Sequence, residues 1–108
     1  MTFHPNDFKR ISRALEVYEL TGKPILEGYG LTECSPMVSC NTHRYHRAGT
    51  AGRIAAGTEV RLFASDGSEV ACGGLGEICV RGPQVMQGYW NNAAETAHVI
   101  DADGWLAV

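Results

Sequence analysis

The spacing of apolar residues changes part-way along this chain, and that change limits it to a mixed fold. Phe8, Ile11, Leu15 and Tyr18 recur at intervals of three and four, which places one apolar stripe on a helix. From Glu59 onward the period is two: Val60 and Leu62 face one way, and Glu59, Arg61 and Phe63 the other. The first half therefore reads as helix followed by strand, and the second half as hairpins. A helix is expected over residues 6–21, with Asn6 as its cap, Gly22 at the left-handed stop and Pro24 preventing continuation. Pro24 to Glu27 is a short strand candidate, and Met37 to Cys40 another. Gly49-Thr50-Ala51-Gly52 reads as a tight turn and Asp66-Gly67 as a hairpin turn, with a returning strand that includes Glu77 to Arg81. Asn91 or Asn92 caps a short helix over Ala93 to His98. No repeat or linker separates the halves, so one segment crosses two structural neighbourhoods.

Composition narrows the classes of function. Charged residues are 19% and hydrophobic residues 44% of 108, a globular balance. A compact chain of this length hides about 65% of its unfolded surface. The formal charge of −3 comes without a basic stripe, which argues against nucleic acid as a partner. No apolar run approaches the ~20 residues that cross a bilayer. Met1-Thr2-Phe3-His4-Pro5 lacks the pattern of a secretory signal. Cys34, Cys40, Cys72 and Cys79 form no C-x-x-C pair and read as free thiols of a reducing cytoplasm. Cys40, His43 and His46 are spaced in threes, but the segment has no apolar period and no fourth ligand nearby. It reads as a polar surface loop rather than a zinc site.

The segment that carries chemistry is Glu27-Gly28-Tyr29-Gly30-Leu31-Thr32-Glu33. Two glycines flanking an aromatic permit unusual dihedrals and a close approach of backbone to ligand. Tyr29 offers a flat face on which a purine can stack, and Thr32 a hydroxyl that can donate to a phosphate oxygen. Glu33 offers the hard carboxylate that Mg²⁺ prefers. An ordinary tight turn around a buried tyrosine accounts for the segment equally well. The stretch Gly76 to Trp90 reads as a strand ending in a Gly-Pro turn, with Met86, Tyr89 and Trp90 as packing residues, and Asp103-Gly104-Trp105-Leu106 as a turn.

In this order and spacing, the three segments resemble the adenylate-forming (AMP-binding) superfamily of acyl-CoA ligases, luciferases and peptide-synthetase adenylation domains. Tyr29-Gly30-Leu31-Thr32-Glu33 is similar to its adenine and Mg-ATP loop, and Gly76 to Trp90 to its Gly-Glu strand and Gly-Tyr-Trp segment. Asp103-Gly104-Trp105 is similar to the lead-in to its Thr-Gly-Asp ribose motif. Leu31 stands where peptide-synthetase domains usually have proline. With Cys34-Ser35-Pro36 and Gly82-Pro83-Gln84-Val85-Met86, it looks most like bacterial long-chain fatty acyl-CoA ligases.

The resemblance implies an ATP-dependent reaction in two steps: a fatty acid attacks the α-phosphate to give acyl-AMP, and CoA then displaces AMP. Implied partners are fatty acid, ATP/AMP, CoA and Mg²⁺; peripheral contact with the inner membrane stays open. By resemblance Thr32 contacts the α-phosphate and Glu33 holds Mg²⁺, the two implied catalytic residues. Tyr29 lies against adenine, Glu27 and Gly28 border the base, and Gly30 and Leu31 sit near the acyl group. The implied fold is α/β plus β, a slice of the large N-terminal domain. Residues 1–48 would end the α/β AMP-binding subdomain and carry the nucleotide loop, and 49–108 would belong to a β-rich, barrel-like subdomain. Val108 stands in place of the motif's threonine. The ribose-gripping aspartate, the phosphate loop and the catalytic lysine are all missing, so the chain is expected to be an inactive fragment. Alternatives are a non-catalytic nucleotide-binding remnant, or a fragment of an aryl-CoA ligase or peptide-synthetase adenylation domain.

Overall fold

A computed structural model describes residues 7–108. Helix α1 spans Phe8–Thr21, and the expected cap Asn6 lies outside the described residues. The Asp7 carbonyl accepts from the N–H groups of Arg10 and Ile11, which starts the helix without a side-chain cap. Gly22 ends it in the left-handed conformation (φ 67°), its N–H donating to the Tyr18 carbonyl. The apolar stripe is present but uncovered: no residue of α1 is buried, and Phe8 is 74% exposed.

Strand β1 spans Gly28–Gly30, so pairing begins after the expected Pro24–Glu27 run. Pro24 has no N–H to give to a ladder, and Glu27 joins only through its carbonyl, which accepts from the Asn41 N–H. A 3-10 turn, Thr32–Cys34, precedes β2 (Met37–Cys40), and β3 is the two-residue Arg53–Ile54. These strands form a sheet of order β1-β2-β3.

A second, antiparallel sheet contains β4 (Glu59–Phe63), β5 (Glu69–Val70), β6 (Glu77–Arg81) and β7 (Leu106–Ala107), in the order β5-β4-β6-β7. The Asp66-Gly67 turn returns the chain into β5 rather than directly into Glu77–Arg81; β6 pairs with the other edge of β4. The Asp66 carboxylate accepts from both the Ser68 N–H and hydroxyl, which fixes this turn. Helix α2 (Ala93–Val99) starts at Asn92, whose side chain accepts from the Glu95 N–H, so of the two asparagines Asn92 is the cap.

The chain divides into two compact units, one holding the chain through Tyr29 with Ser39–Arg53, the other holding Gly30–Val38 with Ile54–Val108. In the first, the buried Asn41 side chain organises the loop: its Nδ2 donates to the carbonyls of Thr50 (2.8 Å) and Glu27 (3.3 Å), and its Oδ1 accepts from the Arg47 N–H (2.9 Å). In the second, Cys34, Val38, Val80 and Leu106 form the core, with Leu31, Val60, Val85, Val99 and Ile100 packed around them. Val80 sits opposite both Val60 and Leu106 in the ladder, so period-two patterning directs all three to the same face. Complete burial of a Val or Leu side chain stabilises by about 1.5–3 kcal/mol. On the opposite face Trp105 packs edge-on against Phe63 (centroids 5.7 Å apart), with the guanidiniums of Arg81 and Arg61 at 4.5 and 5.3 Å from its ring.

Candidate functional site

The glycine-flanked segment ends in the 3-10 turn that carries Thr32 and Glu33. Leu31 enters this turn extended (φ −150°, ψ 160°), and Ser35 leaves it left-handed (φ 61°). The Leu31 N–H donates to the Pro36 carbonyl (2.8 Å), and the Cys34 N–H to the Leu31 carbonyl (2.9 Å). Cys34 and Leu31 turn inward to the core, which leaves Thr32 exposed and Glu33 half-buried between the two inward-facing residues.

Glu33 is held at two points. Its carbonyl accepts from the Met86 N–H (2.8 Å), and its Oε1 accepts from the Tyr89 hydroxyl (3.2 Å). Tyr89 is itself tied down, its N–H donating to Thr96 Oγ1 (2.9 Å) on α2. Partial desolvation, and after it the hydrogen bond to Glu33, raises the Tyr89 phenol above its ordinary value. Tyr89 is therefore no packing residue, and Trp90 beside it is 91% exposed rather than packed. Sequence spacing gave no sign of this partnership, because the two residues lie 56 positions apart.

The glycines act differently from the expectation. Neither Gly28 nor Gly30 has a positive φ. A Cβ on Gly30 would lie 2.0 Å from the Pro36 carbonyl oxygen, so the close approach is to the chain's own backbone. A Cβ on Gly28 would meet the Ser39 carbonyl oxygen at 3.1 Å. The Glu27 carboxylate is engaged by the Gly49 N–H (2.8 Å), which ties it to the loop of its own unit. Tyr29 is 36% exposed, so it is not the buried tyrosine of an ordinary turn.

Among the described residues, no three His, Cys, Asp or Glu side chains converge as a metal cluster, which removes the Cys40-His43-His46 arrangement. A lone carboxylate beside a hydroxyl suits Mg²⁺, which takes one or two carboxylates and completes its shell with water and phosphate oxygens. The donor set at Thr32 and Glu33 fits such an ion only together with a phosphate ligand.

Residues 10–90 match the family described as AMP-binding enzyme. The chain belongs to that family. A long-chain-fatty-acid–CoA ligase of Salmonella typhimurium is 52% identical over 90 residues, covering 82% of this chain and 16% of that protein. One from Yersinia pestis is 53% identical over 89 residues, with the same coverage. Among solved structures, apo MatB from Rhodopseudomonas palustris superposes with a TM-score of 0.76 at 31% identity, covering 90% of this chain and 20% of that one. The mixture of helix and antiparallel sheet is thus the AMP-binding fold's own, and the chain spans about a sixth of the length of these ligases. The matched region takes in the whole Glu27–Glu33 segment and both Tyr89 and Met86.

Proposed function

We propose that this chain is part of a long-chain fatty acyl-CoA ligase, an acid–thiol ligase that joins a fatty acid to CoA with cleavage of ATP. The observation that carries this reading is the Thr32–Glu33 turn, which offers an exposed hydroxyl and a carboxylate held by the Tyr89 hydroxyl, on backbone that Met86 fixes through the Glu33 carbonyl. The identity to ligases of that name supports the choice of substrate.

In this reading Thr32 donates its hydroxyl to the α-phosphate, where attack by the fatty carboxylate builds negative charge. Glu33 is the protein ligand for Mg²⁺, which when bound neutralises phosphate charge. Tyr29 lies against the adenine, and Glu27 and Gly28 border it through backbone, since the Glu27 carboxylate is engaged at Gly49. Gly30 and Leu31 sit near the acyl carboxylate through backbone, since the Leu31 side chain packs on the core. In this reading residues to 48 are assigned to the nucleotide-binding subdomain and 49–108 to the β-rich one, with Gly30–Val38 packed in the same compact unit as Ile54–Val108. Among the described residues, no helix is long and apolar enough to cross a membrane.

The test is a graft. Residues 10–108 replace the matching segment of the Salmonella typhimurium ligase, and palmitoyl-CoA formation is measured with ATP, CoA and Mg²⁺. The graft is expected to turn over. Glu33→Gln in it is expected to lower kcat/KM by about 10²-fold or more, with a raised Mg²⁺ requirement. Full activity of Glu33→Gln would remove this assignment. The 108-residue chain by itself is expected to form no acyl-CoA, because positioned groups act as a unit.

A further inference from the structure

The first unit contains a cleft of about 480 Å³ lined by Tyr45, His46, Arg47, Thr50 and Arg53 over the buried Asn41. The Arg53 guanidinium stacks 4.0 Å from the Tyr45 ring centroid, and that of Arg44 lies 5.5 Å from it. Arg13, Arg61 and Arg81 all pair with carboxylates, at 2.6 to 3.0 Å. Among the described residues Arg10, on α1, and Arg44, Arg47 and Arg53 pair with none. Two unneutralised guanidiniums, Arg47 and Arg53, line this one cleft, with Arg44 beside its Tyr45 wall, in a chain of formal charge −3.

The cleft is built rather than incidental. Asn41 binds the backbone at Glu27, Arg47 and Thr50. Thr42 and Tyr45 close a reciprocal turn: each N–H is bonded, to the Tyr45 carbonyl and the Thr42 hydroxyl respectively. The Thr50 hydroxyl and N–H both donate to the Arg47 carbonyl. Gly52 seats the return strand directly on the backbone of Cys40 and Asn41. All these bonds engage backbone at the arginines, so the guanidinium groups are uncommitted while the loop that carries them is fixed. The Glu27 carboxylate, held on the Gly49 N–H, is not among the lining groups. Stacking leaves the in-plane N–H donors of a guanidinium available, in the fork that matches a phosphate.

We propose that this cleft binds a phosphate or diphosphate group, carried by a soluble phosphorylated molecule or by a lipid headgroup. The cleft shares no lining residue with the nucleotide turn, and the inference does not rest on the ligase reading. Binding is expected to weaken with added salt, since the cleft is open to solvent.

The test uses the ¹⁵N-labelled 108-residue chain, titrated with sodium pyrophosphate, and co-sedimentation with phosphatidylglycerol against phosphatidylcholine vesicles. The amide shifts are expected within residues 42–53. Arg47→Gln with Arg53→Gln is expected to weaken binding about tenfold, while Lys9→Gln with Arg10→Gln, which removes equal charge from α1, leaves it unchanged. Arg47→Gln alone, whose backbone bonds persist, serves if the double variant loses its native spectrum. Saturable pyrophosphate binding with that pattern supports a soluble ligand, and phosphatidylglycerol-dependent sedimentation with that pattern supports a headgroup. Failure of the parent chain to bind either probe overturns the proposal, as does equal weakening by the Lys9 and Arg10 changes.

Discussion

At the scale of single residues, the same glycine chemistry has two different consequences. A Cβ on Gly52 would lie 2.0 Å from the Cys40 carbonyl carbon and 2.2 Å from the Asn41 nitrogen, at φ 82°. On Gly57, at φ 78°, it would meet open space. Gly52→Ala is therefore expected to destabilise by about 2–5 kcal/mol, from strain plus backbone overlap, and Gly57→Ala by about 1 kcal/mol, from strain alone. Urea denaturation of the two variants checks this, and equal losses would contradict the packing argument. Cysteines divide in the same way. Cys79 is buried, and desolvation, followed by the charges of Glu77 and Asp101, raises its thiol above the ordinary value. The folded state thus holds this proton more tightly than the unfolded state. That contribution is complete below the unfolded thiol's value of about 8.5 and is lost as pH rises through the higher folded one. Stability is expected to fall above about pH 8.5, less steeply in Cys79→Ala, in denaturant midpoints measured across alkaline pH. Iodoacetamide is expected to label the exposed Cys72 well before Cys34 and Cys79, read by mass spectrometry.

At the scale of elements, local chemistry accounts for most starts and stops. Gly22 ends α1, Asn92 starts α2, and Asp66-Gly67 turns the chain after β4. Asn92→Ala is expected to cost about 1 kcal/mol, as the Glu95 N–H loses its partner; a thermal melt measures it. The partner of each strand was less legible. The expected returning strand of the hairpin included Glu77–Arg81, after flexible turns at Gly73-Gly74 and Gly76, whereas the two-residue β5 is the returning strand and β6 pairs with the far side of β4. Gly73-Gly74 permits that excursion, but pairing is decided by which apolar face meets the Cys34–Val38–Leu106 cluster. Val80→Ala, at the centre of that cluster, is expected to cost about 2 kcal/mol.

At the scale of the whole molecule, the apolar stripe of α1 is covered by none of the described residues. Phe8, Leu15, Tyr18 and Leu20 are 55–76% exposed on one short helix. Such a surface favours self-association. The isolated chain is expected to show a concentration-dependent mass in sedimentation velocity, and Leu15→Lys with Leu20→Lys to shift it toward monomer. A concentration-independent monomer would contradict this.

The sequence by itself determined both helices and the strands Met37–Cys40, Glu59–Phe63 and Glu77–Arg81, because helix period, strand alternation, glycine stops and asparagine caps act over a few residues; the short strands Gly28–Gly30, Arg53–Ile54, Glu69–Val70 and Leu106–Ala107 needed their partners. It also singled out Thr32 and Glu33, whose kinds of side chain suffice to suggest phosphate and metal chemistry. Only the tertiary structure decided that Tyr89 and Met86 hold Glu33 and that Glu27 serves Gly49. Those contacts join residues far apart in the chain, and the packing that brings them together leaves no periodic trace in the order of residues.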